Sequence, residues 1–514
     1  MKRNLLIGLL LLAAGSMSLQ AQDAALTPAA QELNLQNFWF NSSNAAGMAM
    51  SPLLRYNDVS LQYDRSQGDF KDVLDAASQG GVTAATSGAL DFKGFALYGD
   101  FSYNHSTSKG SLYNANLFEP SFAMPYYLAD WNLSDWRRQT FDMGVKIAAP
   151  KMAGDRLALG LDLRYCDKVG AKQMDPRAVS YVLNLQAAPS LAFALSPSAT
   201  LGLTLDYERY KERTSHSCEN YLVNQSVAMM RGLGYFTSAM IGGNMGVGDL
   251  LYSGNRFGGA LSFEGKGSAA DLFAEVAGGY QIIEVMERPS FPRMRGKTAT
   301  LSGDLALKGN FGVNRNHRAS LTGSFSKVTG SEYTQELVTT PKRMWYTVAV
   351  TPMSTYTFAD AALNYDFYKN ISDAGYDWKL GAEVDFSMMN QVYMVSYFKN
   401  MSVDADVHFA YNFSFAGGSN LLAQVNAGYY HPLSGAYLYT GTTNTDSEIV
   451  TGMYPQELAY LTSQCAEAAA GATYSFPITK QLYNLYISAK AQYRKPLGAS
   501  GDRLCAVATV GMLF

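Results

Sequence analysis

The sequence predicts an all-β fold: a transmembrane antiparallel up-and-down β-barrel of about 18 strands, with short periplasmic turns and long extracellular loops. Three observations predict it. Segments of roughly ten residues with period-two alternation recur from about residue 56 to the end of the chain. The gaps between them alternate between short and long. The last segment, residues 502–514, sets Leu504, Ala506, Ala508, Val510, Met512 and Phe514 on one parity against Arg503, Cys505, Thr509 and Gly511 on the other. Successive side chains of a strand point to opposite faces, so the first set turns to lipid and the second to a lumen.

The chain opens with Lys2 and Arg3, continues with an apolar run over residues 5–14, and reaches Ala21 through small and polar residues. That order is a secretory signal peptide over residues 1–21, cleaved near Ala21. Residues 22–54 come before the first strand and are too few for an independent domain, so they are expected in the periplasm or folded into the lumen. Residues 55–514 then make the barrel. Its strands are legible one by one: Leu157, Leu159, Leu161, Leu163 and Tyr165 alternate with Ala158, Gly160, Asp162 and Arg164. Leu201, Leu203, Leu205 and Tyr207 alternate with Gly202, Thr204, Asp206 and Glu208. Near the end, a sixteenth strand is expected over 460–477. Sixteen to twenty strands fit the pattern roughly as well, since boundaries read this way are good to only a few residues.

Short gaps at 93–94, 150–155, 196–198 and 479–480 follow even-numbered strands. Long gaps at 107–136, 213–255, 330–355 and 433–459 follow odd-numbered ones. A soluble sandwich or solenoid has no reason to alternate its loop lengths, whereas an outer-membrane barrel does. After the leader no stretch approaches the roughly 18–20 apolar residues that a spanning helix requires. The formal charge of −3 gives no attraction to nucleic acid, and 13% aromatic residues with 34 Tyr suit a wall half in lipid and half in water.

The inward parity supplies the lumen-lining candidates Asp162, Arg164, Asp206, Glu208, Lys379, Glu383, Asp385, Asp404, Asp406 and Lys490. Further inward acids include Asp100, Glu264, Glu275, Asp304, Asp360 and Asp366, and further bases Lys308 and Arg494. Acids outnumber bases, which in a water-filled pore favours cationic or neutral solutes. The segment 228–248, rich in Met, Gly and apolar residues, is expected to turn inward as a constriction or to pack on neighbouring loops. The loop aromatics Tyr113, Tyr126, Tyr127, Trp131 and Trp136 suggest an alternative, a contact surface for a surface lipoprotein or secretion partner.

Cys166, Cys218, Cys465 and Cys505 are too far apart for a short metal-ligand motif. An exported compartment permits disulfides, and Cys166 with Cys218, near the same rim, is the expected pair, with four reduced thiols as the alternative. His105, His216, His317, His408 and His431 are scattered, with no nucleophile elbow and no H-E-x-x-H. No enzyme activity and no cofactor are expected.

An exported start, Gln22 after the cut, tyrosine-rich strands and the terminal Phe514 together resemble outer-membrane barrel proteins of the Bacteroidota type. The segment Asn44-Ala45-Ala46-Gly47-Met48-Ala49 is similar to the N-P-A-G-L-A-like segment of FadL-type transporters of hydrophobic compounds. That resemblance implies an N-terminal hatch inside the barrel, a fourteen-stranded wall and uptake of an apolar compound. The reading of the residues themselves is a passive channel or transporter for small solutes through an acid-leaning lumen, embedded in outer-membrane lipid. Hatch-gated uptake and a non-transporting docking platform stay open beside it.

Overall fold

The structure, a computed structural model, describes residues 26–220, 222–242, 248–288, 291–478 and 483–514. The expected signal peptide and the 479–480 turn lie outside these residues. Two short helices, α1 (Pro28–Leu35) and α2 (Tyr454–Leu461), accompany 21 strands among the described residues. The strands are β1 (Tyr56–Gln67), β2 (Ser78–Phe92), β3 (Phe95–Ser111), β4 (Leu128–Ala129), β5 (Ser134–Ala148), β6 (Leu157–Lys172) and β7 (Arg177–Ser196). They continue with β8 (Ala199–Ser217), β9 (Gln225–Gly232), β10 (Tyr235–Ile241), β11 (Leu250–Lys266), β12 (Ala270–Glu287), β13 (Arg293–Phe311) and β14 (His317–Val338). The last seven are β15 (Met344–Lys369), β16 (Trp378–Tyr393), β17 (Ser396–Ser414), β18 (Asn420–Leu438), β19 (Cys465–Ile478), β20 (Tyr483–Pro496) and β21 (Arg503–Leu513).

Eighteen of these strands form one sheet, each antiparallel to its neighbours in chain order, with β4, β9 and β10 set apart in a small sheet of their own. Closure is direct: Val510 of β21 lies opposite Ile487 of β20 on one side and Leu61 of β1 on the other. A closed sheet has no free edge, which is what lets strands cross lipid with every backbone group paired. The lipid face carries the predicted parity, with Leu159, Leu163, Leu201, Leu203, Leu205, Phe257 and Leu261 all exposed. This is the architecture of an outer-membrane barrel. The count of eighteen sets aside the fourteen strands that the FadL resemblance implied.

Three local expectations are corrected. The gap 330–355 is mostly strand, because β14 and β15 run on as a paired ribbon, Val338 opposite Met344. The start of the expected strand 460–477 is the end of α2, and β19 begins at Cys465; Pro455 at the head of α2 suits a first helical turn. The bridge between Cys166 and Cys218 is not formed, and both thiols are free. Cys166 lies opposite Asn184, which lies opposite Tyr210. Cys218 is eight residues further along from Tyr210, about 26 Å at 3.3 Å per residue, far beyond disulfide reach.

Candidate functional site

The interior is built in three storeys, each traceable to side chains of the inward parity. At the end with the short turns, residues 26–54 lie across the lumen. Asn44 begins a short 3₁₀ turn, Ala45–Ala49, by accepting from the Gly47 amide (3.0 Å), and donates to the carbonyls of Leu191 (3.0 Å) and Leu203 (3.1 Å) on β7 and β8. The Ala46 amide donates to Ser190 Oγ (3.0 Å). Trp39 is fully buried, its ring edge-on to Phe273 and its Nε1 donating to Glu264 (2.8 Å). Glu275 accepts from the Ser43 amide and hydroxyl (3.2 and 3.1 Å), and Lys146 donates to the carbonyl of Phe40 (2.8 Å). On the far wall Glu32 accepts from Tyr376 and Lys379 (2.7 Å each). Leu26, Ala30 and Tyr56 pack with Ala89 and Leu513, and Ala29 with Tyr368 and Leu422, so the segment meets the wall nearly all round.

Glycines make this docking sterically possible. A Cβ on Gly160 would sit 2.2 Å from the Ala46 amide nitrogen, and one on Gly202 would sit 2.9 Å from the Trp39 ring. The alternation of β6 and β8 puts both glycines inward at the height where the hatch backbone touches the wall.

At the opposite end the three long connections fold into the mouth instead of standing in solvent. β9 and β10 form a hairpin, and β4 adds to it through Leu128 opposite Met229. Val227, Ala228, Met230 and Leu233 pack with Tyr126, Tyr127, Ile449, Met453 and Tyr454. Barrel residues Tyr252, Val285, Val328, Tyr356, Tyr393 and Phe398 point inward to meet them, so the upper lumen is apolar where a water-filled pore requires polar groups. The loop aromatics change meaning with this packing. Tyr113, Tyr126, Tyr127 and Trp136 are 4% exposed or less and belong to the plug and its seat, not to an outer contact surface. A buried ion pair, Lys172 of β6 with Asp130 beside β4, ties plug to wall, each side chain only 1% exposed. Arg231 of β9 pairs with Glu332, which also accepts from Tyr393 (2.7 Å).

A further tie is sensitive to protons. Glu457 of α2 is buried and accepts from the Val73 amide (3.0 Å), with the Asp72 carboxyl beside it. Burial, reinforced by the Asp72 charge, pushes the Glu457 carboxyl up to about 8. Its value in the docked state lies above that of a free carboxyl. Docking therefore takes up a proton, and its stability falls as pH rises from about 4.5 to about 8, then levels off. Protease cleavage of loop 439–464 is expected to quicken across that window in the wild type and to change much less in Glu457→Gln, whose amide oxygen still accepts from Val73 and where only the buried Asp72 carboxyl, itself raised by burial, remains to titrate.

Between hatch and plug lies a polar middle storey. Asp162 sits 3.8 Å from Lys146 and 3.7 Å from Arg164, Asp206 pairs with Arg256, and Glu208 accepts from Asn184 (2.8 Å). Lys379 belongs to the hatch contact already described, and Lys490 lines a 470 Å³ hollow with Asp366 and His408. Glu383, Asp385, Asp404 and Asp406 come together: Glu383 lies directly opposite Asp406 and Asp385 opposite Asp404. Among the described residues none of the four forms an ion pair with a basic side chain. The inward bases Lys146, Lys172 and Arg256 were not singled out in the sequence. Their strands alternate as the others do, and Lys146 and Lys172 stand on segments where both parities are mixed.

A model of a family of unknown function (DUF6850) matches residues 45–514. No curated protein matches the chain. Solved structures similar to it include the Pseudomonas putida toluene transporter TodX, 11% identical with a TM-score of 0.30, covering 96% of this chain and 95% of that one. The FrpB iron transporter of Neisseria meningitidis is 8% identical with a TM-score of 0.38, covering 91% and 83%. The Escherichia coli outer membrane transporter YddB is 9% identical with a TM-score of 0.38, covering 89% and 81%. Likeness at this level carries no correspondence of residues or of cargo.

Proposed function

We propose that this chain, which belongs to the family of unknown function DUF6850, is a gated outer-membrane transporter of small polar solutes. One observation carries the reading. A polar middle storey is shut off by an N-terminal hatch that is not part of the wall ladder and is held to it by side-chain contacts, among them hydrogen bonds such as Asn44 to the Leu191 and Leu203 carbonyls that water can replace. A structural platform has no use for a removable floor beneath a polar hollow. An always-open porin is not favoured either, since plug and hatch both cross the lumen.

The charge of the middle storey favours cationic or neutral cargo over anionic. Like charges directly opposite on neighbouring strands repel, so the Glu383–Asp406 and Asp385–Asp404 pairs are relieved by a mobile cation. The test is a planar-bilayer recording in a KCl gradient. The wild type is expected to stay closed for most of the record. Gly160→Leu, which drives a side chain into the hatch backbone, combined with Lys172→Met, which strands Asp130 and frees the outer plug, is expected to give stable steps with cation-selective reversal. A folded double-variant barrel, shown by heat-modifiable gel mobility, that passes no current sinks the transport reading.

A further inference from the structure

Directly beneath the plug is a hollow of about 760 Å³, walled by β2, β3, β5 and β15 to β18 and roofed by loop 112–133 and α2. It lies within the roughly 300–1,000 Å³ of small-molecule sites. Resting on the transporter reading, we propose that this chamber is the ligand site and that it takes a neutral oligosaccharide.

The lining decides the class by what it has left to offer. Its charged groups are already engaged, Asp72 by the Leu74 amide (2.7 Å) and Asp75 by Arg503 (3.5 Å). Arg138, the one basic side chain among the lining residues, donates to the Phe118 carbonyl (3.1 Å) and Ser108 Oγ (2.7 Å) and stacks on Phe118 and Trp136. Glu119 is paired with Lys168 (3.2 Å), and Glu457 accepts from the Val73 amide. An anionic ligand would find no unspent cation there. Among the described residues, lining groups without a hydrogen bond include the hydroxyls of Ser106, Thr140 and Ser402 and the amide of Asn400. Asn400 is only 5% exposed, and its side-chain oxygen has no hydrogen-bond partner, an acceptor that a rotation of the side chain toward a ligand donor would satisfy. An apolar ligand would leave all four unpaired and gains nothing from them.

Two rings complete the match. Phe122 and Phe358 line the same chamber, Phe122 stacked parallel to Phe398 at 6.4 Å between centroids. The negative face of an aromatic ring suits the weakly positive C–H face of a pyranose, while hydroxyls around the sugar's rim meet the serines, the threonine and the amide. Neutral hydroxyl and amide groups beside aromatic faces are what a polyol needs, and neither a free anion nor a hydrocarbon uses both.

The full-length mature protein, in a detergent without a sugar headgroup, is titrated with maltotriose, cellotriose and mannotriose, with trigalacturonate and oleate as the anionic and apolar probes. Binding is read by saturation-transfer NMR and calorimetry. At least one neutral trisaccharide is expected to bind saturably, and Asn400→Ala and Ser402→Ala are each expected to weaken it about two- to tenfold, the loss of one hydrogen bond. The proposal is overturned if no neutral trisaccharide binds, if trigalacturonate or oleate binds as tightly, or if binding ignores both substitutions. Current through the Gly160→Leu, Lys172→Met double variant without any sugar binding to the wild type leaves transport standing and removes this ligand class. Sugar binding without current upholds the chamber and removes transport.

Discussion

Lys172→Met is expected to release the outer plug while leaving the barrel wall intact. Lys172 and Asp130 are both shut away from water, so their attraction offsets a large desolvation cost that neither could bear alone. Methionine fills much of the lysine's volume and removes only the charge, which strands the Asp130 carboxylate in a nearly dry site. Breaking a buried pair from one side costs about 3–5 kcal/mol, or about two to three and a half powers of ten in the docking equilibrium. Amide hydrogen exchange measures this segment by segment. Protection in 112–133 and 225–241 is expected to fall by that factor, while the ladder of β11 to β16 keeps its own. The double variant Lys172→Met with Asp130→Leu separates charge from shape, because exchanging both partners for apolar groups is often neutral or stabilising. Restored protection in the double variant assigns the effect to the stranded charge. Unchanged protection in the single variant removes this pair as the tie.

The wall was legible in the sequence because a barrel in lipid imposes one rule on every strand. Leu201 to Tyr207 on one parity and Gly202 to Glu208 on the other can be nothing but a two-faced strand, and all eighteen wall strands could be placed from such runs. The rule fails where the inner face stops being wet. Tyr252, Val285, Tyr356 and Phe398 point inward but are apolar, because folded-in loops cover them. Near the plug both parities therefore read alike, and residues 330–355 passed for a loop. Exposed-looking loop aromatics misled for the same reason: Tyr126 and Tyr127 have no periodic signature that says which way a loop folds. The candidate site was half legible. Register placed Glu383, Asp385, Asp404 and Asp406 on the inner face, yet which acids keep a basic partner depends on neighbours across the ladder, such as Arg256 for Asp206. The hatch carried a signal in Asn44 to Ala49. The glycines that receive it, Gly160 and Gly202, looked like ordinary small inward residues until the hatch backbone was seen against them.

The same logic makes Trp39 the substitution with the largest expected effect on the lower closure. Its ring fills the space that Gly47 and Gly202 leave open, meets Phe273 edge-on at 5.4 Å, and gives its indole N–H to Glu264. Trp39→Ala removes the packing and the hydrogen bond together, at about 3–5 kcal/mol for a buried aromatic reduced to alanine. The hatch is not part of the wall ladder, so this loss falls on docking and not on closure of the sheet. Chymotrypsin is expected to cut at Phe38 or Phe40 in the variant and to leave the wild type whole, with heat-modifiable gel mobility of the barrel equal in both. Trp39→Phe, which keeps a ring and loses the N–H, is expected to fall between them. Without its donor, Glu264 still has Lys266 at 3.3 Å to share its charge, so the smaller change costs about one hydrogen bond. Barrel and hatch lost together in Trp39→Ala would show that the segment is a structural brace, and a hatch that resists chymotrypsin in Trp39→Ala would move the latch to Lys146 and Glu275.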